Sequence, residues 1–224
     1  MISRVLEPEA METAEEVRQY DAMDHSAVNS QFVADFLSAH GPCRQGEILD
    51  VGTGTARIPI ALAQADNQAR VLALDLSETM LAQAEVNINA AGMNSRIRTH
   101  LGDAKALLDS FGRGIFEGVI SNTIIHHIPD PLPALETMAG LVAHGGTLMV
   151  RDLARPESTD EIRRLVDTYT AGETPAARAL FEASLNAALT LAEIRALICD
   201  LGFAPRDVAM TSDRHWTWTW RRPF

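Results

Sequence analysis

Short runs of consecutive apolar residues alternate along this chain with longer segments in which apolar residues recur every three or four positions. The short runs predict buried strands, and the spaced pattern predicts amphipathic helices. Repeated strand–helix units imply a parallel sheet covered by helices on both faces. The expected strands are 47–51, 70–75, 96–101, 115–121 and 146–152, and the expected helices are 55–65, 78–91, 104–110 and 131–143.

The flanking segments follow other patterns. Residues 9–40 predict two helices that are split near residues 20–24, and a Gly145–Gly146 turn is expected just before the fifth strand. Ser158 and Thr190 each stand three residues before a glutamate, which is the capping-box pattern that opens a helix. Helices are therefore expected at 159–171, 175–189 and 191–201, followed by a two-strand hairpin at 204–211 and 215–221.

A glycine-rich turn follows the first expected strand. Asp50 ends the strand, Gly52 and Gly54 follow, and Pro59 falls early in the next helix, which is expected to start near Thr55. Glycines permit a positive φ and close approach of a ligand, and a helix N-terminus offers unpaired N–H groups. Strand, glycine turn and helix together predict a site for a nucleotide-type ligand.

The spacing selects among such ligands. A nicotinamide or flavin fingerprint has a third glycine three positions after the second, and here that position is Arg57. The pattern from Asp50 through Gly52 and Gly54 to Ala56 instead resembles the first motif of class I S-adenosylmethionine-dependent methyltransferases. An acidic residue there suits a ligand with an ammonium and a sulfonium but no pyrophosphate.

The resemblance covers residues 40–155 by motif and the rest by architecture. It implies an α/β fold, a doubly wound seven-stranded sheet of order 3-2-1-4-5-7-6 with strand 7 antiparallel. It also implies one methyltransferase domain over 1–224. Within that domain we expect a helical cap at 1–40, a cofactor-binding core at 46–153, a helical insert at 155–190, and a final helix and hairpin at 191–224.

Two further acids stand at the ends of expected strands. Asp75 lies 21 residues after Gly54, where an acid accepts hydrogen bonds from ribose hydroxyls. The resemblance implies that Asp103 contacts the adenine amino group, that Ala104 supplies a backbone N–H and that Met80 lies near the adenine. The expected residues for S-adenosylmethionine are Asp50, Gly52, Thr53, Gly54, Asp75, Leu76, Met80, Asp103, Ala104, Ser121 and Asn122.

Two adjacent histidines follow the fourth expected strand. His126 and His127 lie in a segment that resembles small-molecule methyltransferases related to the ubiquinone and menaquinone pathways. Their expected uses are to line the acceptor cavity or to act as a catalytic base, with Tyr20 and Asp152 also binding the acceptor. No metal is expected, because neighbouring side chains diverge in extended backbone.

Composition and charge limit the classes of partner that we expect the protein to bind. A net charge of −11 argues against nucleic acid and anionic membranes, which demand a basic surface, and predicts a small-molecule substrate. Cys43 and Cys199 match no metal or redox spacing and are expected to be reduced thiols in a cytoplasmic protein. No signal core and no apolar run of membrane-spanning length is visible, so no membrane insertion is expected.

The last expected strand places Trp216, Trp218 and Trp220 on one sheet face, because side chains alternate with a period of two. Packing under a helix explains them most simply, and an aromatic-substrate platform or a homodimer contact are the alternatives.

The expected reaction is in-line transfer of the sulfonium methyl to a small molecule, driven by alignment and exclusion of water. The alternatives are a nicotinamide-dependent oxidoreductase and a non-catalytic S-adenosylmethionine-binding protein.

Overall fold

The computed structural model describes residues 2–7, 13–44 and 46–224. Contacts divide the chain into two compact units. The larger unit comprises Ala10–Asn122, Pro133–Val150 and Thr219–Phe224, and the smaller unit comprises Met1–Glu9, Thr123–Leu132 and Arg151–Trp218.

The described strands form one seven-stranded sheet in the order β3-β2-β1-β4-β5-β7-β6, which confirms the expected topology. Strand β1 pairs in parallel with β2 and with β4, β2 pairs in parallel with β3, and β6 pairs antiparallel with β7. The strands are β1 Ile48–Val51, β2 Val71–Asp75, β3 Ile97–Leu101, β4 Phe116–Asn122, β5 Val142–Leu153, β6 Val208–Met210 and β7 His215–Arg221.

Between the first five strands, helices alternate with strands as the apolar periodicity predicts. The first turns of helices here and later in the chain carry the expected caps: Ser77 accepts from the N–H of Met80, Ser158 accepts from that of Glu161, and Thr190 forms a reciprocal capping box with Glu193. The helices are α1 Ala14–Asp21, α2 Ser26–His40, α3 Arg57–Ala65, α4 Glu78–Ala90, α5 Leu107–Phe111, α6 Leu132–Leu141, α7 Thr159–Tyr169, α8 Pro175–Ala187 and α9 Leu191–Asp200.

The expected Gly145–Gly146 turn is wrong, because both glycines lie inside β5. Gly145 has φ of 73°, and its N–H donates to the carbonyl of Arg222 over 2.9 Å. A Cβ at Gly146 would stand 2.7 Å from the carbonyl oxygen of Glu117. These glycines therefore permit close approach of neighbouring backbone within the sheet and do not reverse the chain.

Several element boundaries also differ from expectation. Helix α3 begins at Arg57 and not near Thr55, because Ala56 takes a left-handed conformation with φ of 61° before it. Helix α5 begins at Leu107, since residues 103–106 form a turn closed from the N–H of Ala106 to the carbonyl of Asp103. The strand expected at 204–211 shortens to β6, preceded by a 3-10 turn at Pro205–Asp207.

The expected N-terminal helices are confirmed as α1 and α2, and residues 9–12 of the first expected helix lie outside the described residues. Within the described ranges, the chain has no helix that combines the length and the apolar character needed to cross a membrane.

Each unit has its own apolar core. In the larger unit, buried Phe32 and Phe36 of α2 pack in one cluster with Ile48 and Val71 of the central strands. In the smaller unit, Leu153 packs in a separate cluster with apolar side chains of α7 and α8. Burial of apolar surface is the main stabilising contribution in both.

The three tryptophans of β7 differ in burial. Trp216 and Trp218 are fully buried, and Trp218 meets Phe203 edge to face with ring centroids 5.1 Å apart. The face is thus packed at these two positions, and packing of all three tryptophans under a helix stays a prediction. Trp220 is partly buried.

Candidate functional site

Hydrogen bonds hold the glycine turn after β1 to the end of β2. Gly52 and Gly54 have φ of 74° and 55°, in the left-handed region that glycine adopts without strain. The N–H groups of Gly52 and Thr53 both donate to the carbonyl of Leu74 over 2.8 Å. Asp75 accepts from the N–H of Gly54 over 2.8 Å. The turn is therefore held in shape from the neighbouring strand.

Asp50, the third residue of β1, is a buried carboxyl with 2% of its surface exposed. Its Oδ2 accepts from the hydroxyl of Thr53 over 2.7 Å. Burial raises the pKa of Asp50 to about 7; the Thr53 hydrogen bond opposes this and the negative charge of Asp75 adds to it. A carboxyl in this state gains stability from any positive charge placed beside it.

Tyr20 of α1 covers the same turn. Its ring Cε1 lies 3.9 Å from the position that a Cβ on Gly54 would take. Burial raises the pKa of the Tyr20 hydroxyl, and the charges of Asp75, Asp21 and Asp50 raise it further. The phenol consequently stays protonated at neutral pH.

Helix α1 is anchored by Arg57, the residue that stands where a dinucleotide fingerprint has glycine. The Nε and Nη2 of Arg57 donate to the two carboxylate oxygens of Asp21 over 2.9 and 2.8 Å. Asn87 of α4 donates to Asp21 over 3.0 Å and to the carbonyl of Thr55 over 3.0 Å. This network fixes the end of α1, and with it Tyr20, beside the glycine turn.

The remaining residues expected around the cofactor have varied surroundings. Asp103 is partly exposed and accepts from the N–H of Lys105 over 2.9 Å. The hydroxyl of Ser121 is buried and donates to the carbonyl of Val51 over 2.8 Å, which ties β4 to β1. Met80 and Ala104 are buried, while Leu76 is exposed.

In the smaller unit, two carboxylates enclose the His126 ring. The Nδ1 of His126 lies 2.6 Å from Asp152 Oδ1, and its backbone N–H donates to Asp152 Oδ2 over 3.0 Å. The Nε2 lies 3.2 Å from Glu7 Oε1, and His127 Nδ1 lies 3.3 Å from the same oxygen. Ser184 of α8 donates to Glu7 Oε1 over 3.1 Å.

The charges in this cluster reinforce one another. Burial lowers the pKa of His126, but Asp152 and Glu7 outweigh it and raise the value to about 9. Burial raises the pKa of Asp152 and of Glu7, and the histidines outweigh that influence, so both carboxyls have lowered pKa values. His126 is accordingly held as a cation between two carboxylates.

Residues 4–7 are held against the histidine cluster by hydrogen bonds from Arg4 to backbone carbonyls. Arg4 donates to the carbonyls of His126, Ile128 and Pro129 over 3.1, 2.9 and 3.1 Å. It also donates to Ala187 at the end of α8 over 2.6 Å. Just before the histidine turn, Thr123 has φ of 58°, a strained conformation for a β-branched residue, so the backbone is tightly constrained here.

Part of this chain is similar to known proteins. Residues 48–146 match the family described as a methyltransferase domain. The chain is 33% identical over 120 residues to a ubiquinone biosynthesis O-methyltransferase from Methylococcus capsulatus, covering 54% of this chain and 48% of that protein. It is 30% identical over 110 residues to a demethylmenaquinone methyltransferase from Desulfitobacterium hafniense, covering 49% of this chain and 43% of that protein.

The fold matches as well. A structure of an S-adenosylmethionine-dependent methyltransferase from Aquifex aeolicus superimposes with a TM-score of 0.67 at 15% identity, covering 93% of this chain and 98% of that one. At this identity the likeness shows the fold alone. Residues 48–146 thus match a methyltransferase domain in sequence, and the chain has the fold of the S-adenosylmethionine-dependent methyltransferases. The chain matches somewhat less than half the length of the two curated relatives.

The methyltransferase domain brings some of the expected residues together. Asp50, Thr53, Gly54 and Asp75 meet at the ends of β1 and β2, with Tyr20 beside them. The ligand roles assigned to all eleven cofactor residues remain predictions.

The residues expected to bind the acceptor divide between the two units. Tyr20 belongs to the larger unit, while His126, His127 and Asp152 belong to the smaller one. The acceptor-binding role of these four residues stays a prediction, as does the catalytic role of the two histidines.

Two sets of contacts in these candidate sites have no local signal in the sequence. Glu7 and Arg4 lie more than 100 positions from the histidines that they contact, and no local pattern links them. The partner of Arg57, Asp21, is 36 positions away. The only signal in the sequence was the arginine itself, because a charged side chain that replaces a glycine requires a polar partner or solvent.

Proposed function

We propose that this protein binds S-adenosylmethionine at the glycine turn and transfers its methyl group to a small-molecule acceptor, releasing S-adenosylhomocysteine. One observation carries the proposal: the carboxylate at the end of β2, Asp75, accepts from the N–H groups of both Gly54 and Ser77. This arrangement joins an acid suited to ribose hydroxyls to a turn suited to close approach of a ligand.

The residues of the turn fit this cofactor. The buried Asp50 carboxyl has a raised pKa, so a ligand with an ammonium and a sulfonium would stabilise its ionised form. Asp75 would accept from the ribose hydroxyls, and Asp103 would contact the adenine edge. S-adenosylmethionine supplies an activated methyl group, so the protein's contribution is to align the nucleophile and exclude water.

The acceptor is the less constrained part of the proposal. The relatives named above act in ubiquinone biosynthesis and on demethylmenaquinone, which favours a phenol or quinone precursor. The net charge of −11 supports a small molecule over nucleic acid. We include a cytoplasmic location and a homodimer in the proposal, the latter testable by light scattering of the purified chain.

The histidines can serve the acceptor in two ways. Both nitrogens of the His126 ring face carboxylates, which supports a role in positioning more than one in proton removal. The side chain of His127 is 25% exposed and is the better candidate to meet an acceptor or its proton. A base is needed only if the nucleophile carries a proton at the working pH.

A transfer assay tests the proposal. S-adenosylmethionine labelled in its methyl group is incubated with the full chain and a panel of phenols, catechols, demethylated quinones and amines, and labelled product and S-adenosylhomocysteine are counted. Equal amounts of both with one acceptor class, lost in Asp75→Ala, would support the proposal. Cofactor binding without transfer to any acceptor would favour the non-catalytic binding protein, and NAD reduction with an alcohol substrate would favour the oxidoreductase.

A further inference from the structure

Three potential metal ligands converge in the smaller unit. The carboxylate of Glu7 and the ring nitrogens of His126 and His127 each offer an atom within 4.8 Å of the other two. Glu7 Oε1 lies 3.2 Å from His126 Nε2 and 3.3 Å from His127 Nδ1. Two imidazoles and a carboxylate are a ligand set that catalytic zinc sites use.

The backbone explains why adjacent histidines can share a ligand here. Extended backbone would send their side chains apart, and the expectation of no metal rested on that geometry. Ile125–His127 instead form a 3-10 turn, which places the two imidazole centroids 4.1 Å apart. The physical reason against a shared ion therefore does not hold for this turn.

The surroundings orient two of the three ligands, His126 and Glu7. Asp152, fully buried, lies 2.6 Å from His126 Nδ1 and so fixes the ring with its Nε2 directed at Glu7. A carboxylate that binds the distal nitrogen of a metal-bound histidine is the usual outer partner of such sites, because it sets the tautomer and raises the basicity of the ligand. Ser184 donates to Glu7 and restrains its carboxylate.

We propose that Glu7, His126 and His127 bind one divalent first-row transition ion of the zinc class, which replaces the proton that His126 Nε2 otherwise directs at Glu7 and releases it to solvent, with Asp152 as the outer partner of His126. The site lies wholly within the smaller unit and does not depend on the proposed methyl transfer.

The observed distances fit an ion of this size. Tetrahedral bonds of about 2.0–2.2 Å hold ligand atoms about 3.3–3.6 Å apart. The separations of 3.2 and 3.3 Å from Glu7 Oε1 to the two histidine nitrogens lie near the lower end of that spacing, so these two pairs need little movement. Mixed imidazole and carboxylate donors favour zinc or iron over calcium and magnesium, which prefer all-oxygen sites.

A second group of potential ligands provides an internal control. His40, Cys43 and Glu117 of the larger unit also bring one atom each within 4.8 Å of one another. A cobalt ion bound there would have a thiolate ligand and a sulfur-to-cobalt charge-transfer band in the near ultraviolet. Cobalt bound by Glu7 and the two histidines would lack that band.

The experiment is a titration of the untagged full chain with Co²⁺, followed by visible absorption and by displacement with Zn²⁺. The proposal predicts one equivalent bound with a four- or five-coordinate spectrum and no thiolate band. Glu7→Gln and His127→Gln should each weaken binding at least tenfold, and Cys43→Ser should leave it unchanged. Far-ultraviolet circular dichroism and the thermal midpoint of each variant show whether it folds.

Three results would overturn the proposal. These are no stoichiometric cobalt binding by the folded wild-type chain, a thiolate band that Cys43→Ser abolishes with no second equivalent bound, or binding that both Glu7→Gln and His127→Gln retain at full strength. His127 is the partly exposed ligand, so its replacement keeps the test decisive if Glu7→Gln fails to fold.

Discussion

The backbone N–H of Gly54 donates a hydrogen bond of 2.8 Å to the carboxylate of Asp75, 21 residues further along the chain. The other carboxylate oxygen of Asp75 accepts from Ser77 at the start of α4 over 2.9 Å. One side chain therefore couples the turn after β1 to the helix after β2. Its replacement is expected to affect both the shape of the turn and the binding of ribose.

Replacement of Asp75 by Ala should weaken S-adenosylhomocysteine binding and lower stability together. A hydrogen bond to a charged group contributes about 1.5–3 kcal/mol, so affinity should fall about 10- to 100-fold. Calorimetric titration and chemical unfolding measure the two effects. Asp109→Ala, which removes an exposed carboxylate of α5, is the matched control. Wild-type affinity in Asp75→Ala would place the ribose elsewhere.

The pKa of about 7 at Asp50 predicts a pH-dependent affinity. A cationic ligand favours the ionised carboxyl, so S-adenosylmethionine should bind more tightly as the pH rises from about 6 to about 8. Asp50→Asn should bind weakly and lose this dependence. Titrations of both proteins at several pH values provide the comparison, and an equal pH dependence in the two would remove Asp50 as its origin.

The same carboxyl predicts a gain in stability when it is removed. The pKa of Asp50 is raised from its ordinary value of 3.8 to about 7 in the folded state. Between these two pH values the folded protein holds a proton that the unfolded chain has released, so its stability falls as the pH rises to about 7. Asp50→Asn should thus raise the thermal midpoint of the ligand-free protein at about pH 8 and raise it less at about pH 5. A lower midpoint at both pH values would contradict this account.

The Arg57–Asp21 pair should support binding by holding α1 in place. Arg57 is half exposed, so the pair is expected to contribute only about 1 kcal/mol or less to global stability. Hydrogen exchange in residues 14–21 should nevertheless accelerate in Arg57→Gln, because local opening of α1 becomes easier. Arg98→Gln, which breaks another exposed pair, serves as the control. Equal hydrogen exchange in the two variants would show that Arg57 does not hold α1 in place.

Asp103 is predicted to recognise the adenine edge. Its carboxylate accepts from the N–H of Lys105 and is still partly exposed beyond the end of β3. Asp103→Ala should weaken binding of S-adenosylhomocysteine and blunt its preference over the inosine analogue, whereas Lys105→Met should retain that preference. If Asp103→Ala prefers S-adenosylhomocysteine over the inosine analogue as strongly as the wild type does, Asp103 only stabilises the local turn.

The sequence predicted the features that depend on neighbours in the chain. The parallel sheet followed from the repeated strand–helix units and its strand order from the family resemblance, and Ser77 and Thr190 cap helices as their local patterns required. Gly145 and Gly146 were misread, because a glycine pair is typical of a turn and equally of strands whose backbones approach closely. That choice depends on Glu117 and Arg222, which are distant in sequence.

The candidate sites also combine residues that local spacing predicts with residues that only the tertiary fold brings together. Asp50, Gly54 and Asp75 could be found because their spacing follows from the strand–turn–helix geometry. The contact of Glu7 with His126 joins positions 119 residues apart and has no periodic signal. Ionic contacts of this kind are specified by the tertiary fold, so they could be assigned only from the structure.

The most direct test of the central claim is a competition titration of the full chain with S-adenosylhomocysteine and NAD. The account predicts stoichiometric binding of S-adenosylhomocysteine, reduced at least tenfold in Asp75→Ala, and no displacement by NAD. Saturable NAD binding with no heat from S-adenosylhomocysteine would contradict it.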